Sequence, residues 1–352
     1  MMFPTLVAAR HLASRVALAA AVTVLIPLMN AGPLAAKGLA DGARAEVPIH
    51  FKFIEGTARM WVPISIGGSE PIEAILDTGS VELLVLRAAL PGLGDVVEEG
   101  SFRSSFASGD SLSGVKTRGA LTIGGTDGNT DVPFGLIDRV ECLPNKTDCP
   151  GGHVAFEDYG IAGEGVAGQG FKAILGIGMG NSATGNPLTA VGVSRWIVVI
   201  PIPGVRDTGK LILNPSDVDL AGFQVYDSAT AVVGPQSELD GAIPGCLLIR
   251  STGERICMPI CFDTGAAGLI LVTRNNGEFQ RVQSGGQFTF EFGSEESKLS
   301  FDLDVPPVGF SQAAPEPDLR SPRHLLFAGI RPYLFYEVFS DPGNNQVGLK
   351  RR

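Results

Sequence analysis

From residue 47 onward the chain is a series of short apolar runs broken by Gly, Pro, Asn and Asp. Residues 47–53 and 60–66 partly alternate apolar and polar positions ahead of Gly67-Gly68, which predicts a pair of strands. Residues 72–76 and 83–86 read as buried strands on either side of a polar turn. The Gly- and Ser-rich stretch 98–114 predicts an exposed hairpin, 101–107 returning through 111–117, with strands to follow at 120–123 and 132–137. A long loop, 138–170, leads into the apolar run 171–178, which ends in glycines. Strands at 196–202 and 210–213 flank Pro203-Gly204. Past a turn-rich boundary at 203–209, strands are predicted at 246–250, 255–262 and 269–272, and a hairpin at 287–292 and 298–303. Long amphipathic helical patterns are hard to find, so the chain reads as all-β.

Two of these strands end alike. Ala74-Ile75-Leu76-Asp77-Thr78-Gly79-Ser80 is matched in the other half by Ile260-Cys261-Phe262-Asp263-Thr264-Gly265-Ala266. An aspartate normally avoids such apolar company, and two in the same setting suggest a pair of carboxylates brought together. Each is followed later by an apolar-apolar-Gly strand, Ile174-Leu175-Gly176 in the first half and Phe327-Ala328-Gly329, after His324-Leu325-Leu326, in the second. An internal repeat of this length is too long for a solenoid and suits two related lobes.

With these residues the chain resembles the pepsin-like aspartic proteases over roughly residues 47–350. Thr208-Gly209-Lys210-Leu211-Ile212-Leu213, Phe335–Phe339 and Asn344–Leu349 are similar to further strands of that family. The resemblance implies a bilobal pepsin-like acid protease fold, with two related β-barrel-like lobes and a cleft between them. The expected division is a leader at 1–45, an N-terminal lobe at 46–205 and a C-terminal lobe at 206–352 whose last strands join the inter-lobe sheet. It also implies an aspartic-type endopeptidase with Asp77 and Asp263 as the catalytic pair, no cofactor and no metal. Thr78 and Thr264 would hydrogen-bond across the pseudo-twofold, and Gly79, Ser80 and Gly265 would support the two loops. A flap of Phe106, Ser108 and Gly109 would close over a polypeptide substrate bound in extended form. The family's flap tyrosine and its tryptophan partner are replaced here, at Phe106 and Leu84, by apolar residues, so neither is left unsatisfied.

The chemistry follows from the residue types. Two adjacent carboxylates share one proton and titrate as a pair. The ionised member can take a proton from water while the protonated member gives one to the peptide carbonyl. Ser80 can donate to the outer oxygen of Asp77, whereas Ala266 offers Asp263 no hydroxyl. That difference predicts a raised pKa at Asp263 and an activity optimum less acidic than a stomach enzyme's.

Composition adds context. The formal charge of −10, with no Lys/Arg cluster, argues against a nucleic-acid partner. Arg10, His11 and Arg15 precede an apolar run from Val16 to Met29 that Pro27 interrupts, the pattern of a signal peptide. The run is short for a membrane anchor. The expected picture is an exported monomer, periplasmic or secreted, with no stable membrane span after cleavage. Cys142 and Cys149 are close enough to staple the loop between them. Cys246, Cys257 and Cys261 leave an odd thiol whichever two pair.

Other patterns carry less. Gly109-Asp110-Ser111-Leu112 matches a serine esterase signature without its downstream Asp-x-x-His. Gly204–Lys210 approximates a P-loop, but Leu211 stands where magnesium needs a hydroxyl. Gly163–Gly168 fits a dinucleotide pattern outside any strand-helix context. Two rivals to proteolysis are weighed: a catalytically silent pepsin-fold binding or inhibitory protein, and a glycoside hydrolase using paired carboxylates.

Overall fold

The computed structural model describes residues 42–352 apart from 95, 96, 127–129, 235, 236, 274, 294–297, 306–309 and 314–324, with backbone alone at 230–234, 237–239 and 310–313. The basic start and apolar run expected as a signal peptide lie outside these residues, as does His324. The protein is mostly β, with a thirteen-stranded and a nine-stranded sheet. Among the described residues no helix is long and apolar enough to cross a membrane.

The first hairpin shows how local pattern becomes structure. Ala45–Ile54 and Thr57–Ile66 pair antiparallel around Glu55-Gly56, both at positive φ, the conformation a tight two-residue hairpin turn demands. Along the second strand Met60, Val62, Ile64 and Ile66 are buried on one face while Trp61 and Pro63 alternate on the other. Ile72–Asp77 and Leu83–Leu86 are buried almost throughout instead, because each has a parallel neighbour inside the sheet.

Strand pairing repeats between the two halves. In the first, Thr57–Ile66 pairs antiparallel with Ile72–Asp77, which runs parallel to Ala173–Gly176. That strand pairs antiparallel with Leu83–Leu86, itself parallel to Thr130–Cys142. In the second half the same succession links Ser237–Ile249, Glu254–Cys261, Leu325–Phe327, Leu269–Val272 and Phe310–Ala313. The apolar-apolar-Gly segments thus occupy matching places beside the strands that carry the aspartates.

The structure departs from the sequence reading at several elements. Asp110–Ile123 is one continuous strand where two were expected, and its partner runs on to Cys142, so the long loop starts after the first disulfide cysteine. Gly209–Leu213 pairs with both Ala45–Ile54 and Trp196–Val199, and the latter pairs with Tyr336–Asp341. A ten-residue helix, Asn276–Gly285, was not anticipated. It is polar apart from Phe279 and Val282, and its start is marked by the Asn275 side chain accepting from the Glu278 N–H.

Cys142 is bridged to Cys149 and Cys246 to Cys257, leaving Cys261 as a buried free thiol. An aromatic stack fills the second half. Phe301 lies flat between Phe290 and Phe335, with centroids 4.8 and 4.4 Å away. Phe292 meets Phe262 edge-on at 5.2 Å, so the residue before Asp263 is seated on this stack.

Candidate active site

Each aspartate leaves the end of a buried strand and is caught by a turn of backbone donors. The Gly79 N–H donates to Asp77 Oδ1 at 2.8 Å and the Ser80 hydroxyl to Oδ2 at 2.7 Å. In the other loop, the N–H groups of Gly265 and Ala266 both donate to Asp263 Oδ1, at 2.8 and 3.1 Å. The flanking strands complete the frame: Ile177 N–H donates to the Asp77 carbonyl, and Asp263 N–H to the carbonyl of Gly329. Only glycine fits in these flanking strands. A Cβ at Gly176 would lie 2.6 Å from the Glu82 backbone, and one at Gly329, already at φ +61°, 2.5 Å from the Gly268 carbonyl.

The two loops interlock. Thr78 N–H donates to the Thr264 hydroxyl at 3.1 Å and Thr264 N–H to the Thr78 hydroxyl at 3.0 Å. Each hydroxyl then donates across to the strand delivering the other aspartate, Thr78 to the Phe262 carbonyl and Thr264 to that of Leu76. This lattice holds the carboxyl groups within hydrogen-bonding reach of each other, although both residues are only 8% exposed. Gly79 and Gly265 lie against the opposite carboxylates: a Cβ would fall 2.4 Å from Asp263 Cγ and 2.7 Å from Asp77 Cγ respectively.

The pair is not symmetric. Burial raises the Asp263 pKa well above its usual value, the charge of Asp77 raises it further, and the two backbone donors only partly oppose this. Asp77 has a hydroxyl donor where Asp263 has a second amide, the difference that Ser80 and Ala266 write into the sequence.

Three residues that pattern reading passed over join this site. Tyr333, 1% exposed, donates its hydroxyl to Thr78 at 2.9 Å. Glu82 is half-buried, receives the Ser104 hydroxyl, and is pushed upward in pKa by burial and then by Asp77, against the pull of Ser104. Arg59 donates to the Gly265 carbonyl at 2.9 Å and to Glu164 at 2.5 Å. Nothing in local periodicity marks them, although a lone Arg inside an otherwise apolar strand, Arg59 before Met60-Trp61-Val62, was a usable signal. Among the described residues no group of three His, Cys, Asp or Glu is placed to hold a metal ion.

The hairpin expected as a flap forms from Ser101–Ser105 and the start of Asp110–Ile123, with Phe106, Ser108 and Gly109 at its tip. Phe106 and Leu84 pack in one apolar cluster with Ile75 and Phe171. The tip is tied to the disulfide segment. Leu143 N–H donates to the Gly109 carbonyl and Lys146 Nζ to that of Ala107. Asp110 accepts from Gly151 N–H and the Tyr159 hydroxyl, and Ser108 also meets Asp110.

No family model matches the chain, and no relative is found among the curated proteins.

Proposed function

We propose that the chain is an aspartic-type endopeptidase of the pepsin-like kind, an exported monomer that hydrolyses polypeptides bound in extended form. On this reading residues 46–205 and 206–352 are two related β lobes sharing one cleft. The observation that carries it is the reciprocal threonine lattice holding two buried carboxyls together at matching places of a repeated strand arrangement. Structural ion pairs have no need of two like-charged partners, whereas general acid–base hydrolysis does.

In this mechanism Asp263 keeps the shared proton, because burial and its neighbour raise its pKa. Asp77 takes a proton from a water molecule as the water oxygen attacks the peptide carbonyl carbon, and Asp263 gives its proton to the carbonyl oxygen. The C–N bond of the resulting diol then breaks. Asp77 returns its proton to the departing amine, and Asp263 recovers one from a diol hydroxyl. The fixed dipoles of Gly79, Gly265 and Ala266 hold both carboxyls in place, so little reorganisation is needed.

A second reading, a pepsin-fold binding or inhibitory protein, is favoured by the hairpin tip being tied to residues 143–159. Cleavage of a denatured protein between pH 3 and 7, abolished by pepstatin, is the expected result. Absence of cleavage by folded protein across that range refutes the protease reading. The Asp263 environment supplies a finer test. In Ala266→Thr a hydroxyl can donate to the Asp263 carboxylate and lower its pKa. Activity needs that group protonated, so the alkaline limb of the pH–rate profile is expected to move to lower pH. An unmoved limb would disprove the assigned role of position 266.

A further inference from the structure

Arg59 is buried next to the second Asp-Thr-Gly turn and is incompletely satisfied. Its residue is 9% exposed, one terminal nitrogen donates to the Gly265 carbonyl, the other donates to a single Glu164 oxygen, and Nε has no partner among the described residues. A guanidinium presents Nε–H and a terminal N–H side by side, the fork that a carboxylate grips with both oxygens. Glu164 uses half of that fork. A buried cation with an unused donor is costly, so a ligand that completes the fork gains what Glu164 leaves unmade.

Glu164 is also poised to leave. Its side chain is 40% exposed, so its departure returns it to water at little cost. It sits in a loop closed at its base by the Ile161–Phe171 bridge, and both Ala162 and Glu164 hold positive φ (56° and 53°), a region that non-glycine residues enter under strain. Arg59 stays put, because its strand is paired to Ala45–Ile54 on one side and to Ile72–Asp77 on the other.

The geometry points to Arg59 as a carboxylate-recognising specificity residue for the proposed peptidase: an acidic group of the substrate near the scissile bond displaces Glu164 and takes the Nε/Nη fork. The nearness to the reaction is set by Gly265, whose carbonyl is bound by Arg59 and whose N–H is bound to Asp263. This assignment rests on the protease reading for its position along the substrate, but the carboxylate site itself does not require turnover.

The test uses the full folded protein and three peptides of one sequence. One carries Glu close to the cleavage position with an amidated C-terminus. The second has Gln there, and the third has Gln with a free C-terminal carboxylate. Both kcat/KM and Kd are measured for each. A buried charge-assisted pair leads us to expect about tenfold or greater preference for the Glu peptide over the amidated Gln peptide. Preference for the third peptide instead assigns the site to chain ends. Arg59→Met should bring the Kd values of the Glu and amidated Gln peptides together whatever it does to turnover, Arg59→Lys should restore part of the difference, and Glu164→Gln, on an exposed loop, should raise affinity for the acidic peptide several-fold. Equal handling of all three peptides, or a preference that survives Arg59→Met and is unmoved by Glu164→Gln, overturns the assignment. If no peptide is cut but the binding preference follows these variants, the carboxylate site stands and the protease reading falls.

Discussion

Replacing Asp263 by Asn is expected to cut peptide hydrolysis by about a thousandfold or more and, at the same time, to make the fold more stable at neutral pH. In the proposed mechanism the first effect is the loss of the proton donor to the carbonyl oxygen. The second comes from linkage. Asp263 has its folded pKa raised well above 3.8, by burial first and Asp77 second. The folded chain therefore holds this proton more tightly than the unfolded chain does. The stabilisation is complete below the unfolded value and is lost as pH rises through the folded one. Asn carries no proton to lose and no charge to repel Asp77, so the variant should escape that loss. Urea unfolding at pH 4 and pH 7 reads the difference, which should be small at the first and clear at the second. Asp77→Asn should abolish hydrolysis to a similar degree. Undiminished cleavage by either variant would remove the dyad from the mechanism.

Gly79→Ala is the second large effect, and it acts through a single methyl group. The added Cβ would lie 2.4, 2.5 and 2.6 Å from Asp263 Cγ, Oδ2 and Oδ1, all inside any real contact. The carboxylate has no room to swing, because Gly265 and Ala266 N–H groups hold it and the threonine lattice fixes the loops behind it. The two aspartates must separate. A displacement of that size costs about a hundredfold in rate, and overpacking of this kind costs about 1–3 kcal/mol in stability. Gly92→Ala is the control, since its Cβ meets nothing within 4 Å. If Gly79→Ala matched that control in both kcat and unfolding midpoint, close apposition of the carboxyls would not matter.

Much of this site is legible along the chain because its parts are local. An apolar strand ending in Asp-Thr-Gly is a segment of six or seven residues whose burial, turn and amide donors all lie within three positions of the aspartate. The asymmetry between Ser80 and Ala266 is local too, since each stands three positions after its aspartate. The apolar-apolar-Gly strands are equally visible, since the glycine is required where a neighbouring backbone leaves no space for a Cβ. The helix Asn276–Gly285 was missed for the opposite reason: with two apolar residues, it has too narrow a buried stripe to announce its period.

What the amino-acid order determines by itself is the mainly β character, the twin Asp-Thr-Gly turns, the strands beside them and the unequal surroundings of the two carboxyls. Tertiary structure alone decides which thiol stays free, where the hairpin tip is tied, and which distant groups reach the dyad. Arg59 meets Gly265 across 206 residues of chain and Tyr333 meets Thr78 across 255. Side-chain periodicity reports the faces of one strand and its turns; contacts at such separations depend on how two repeated sets of strands are folded against each other, which no local pattern encodes.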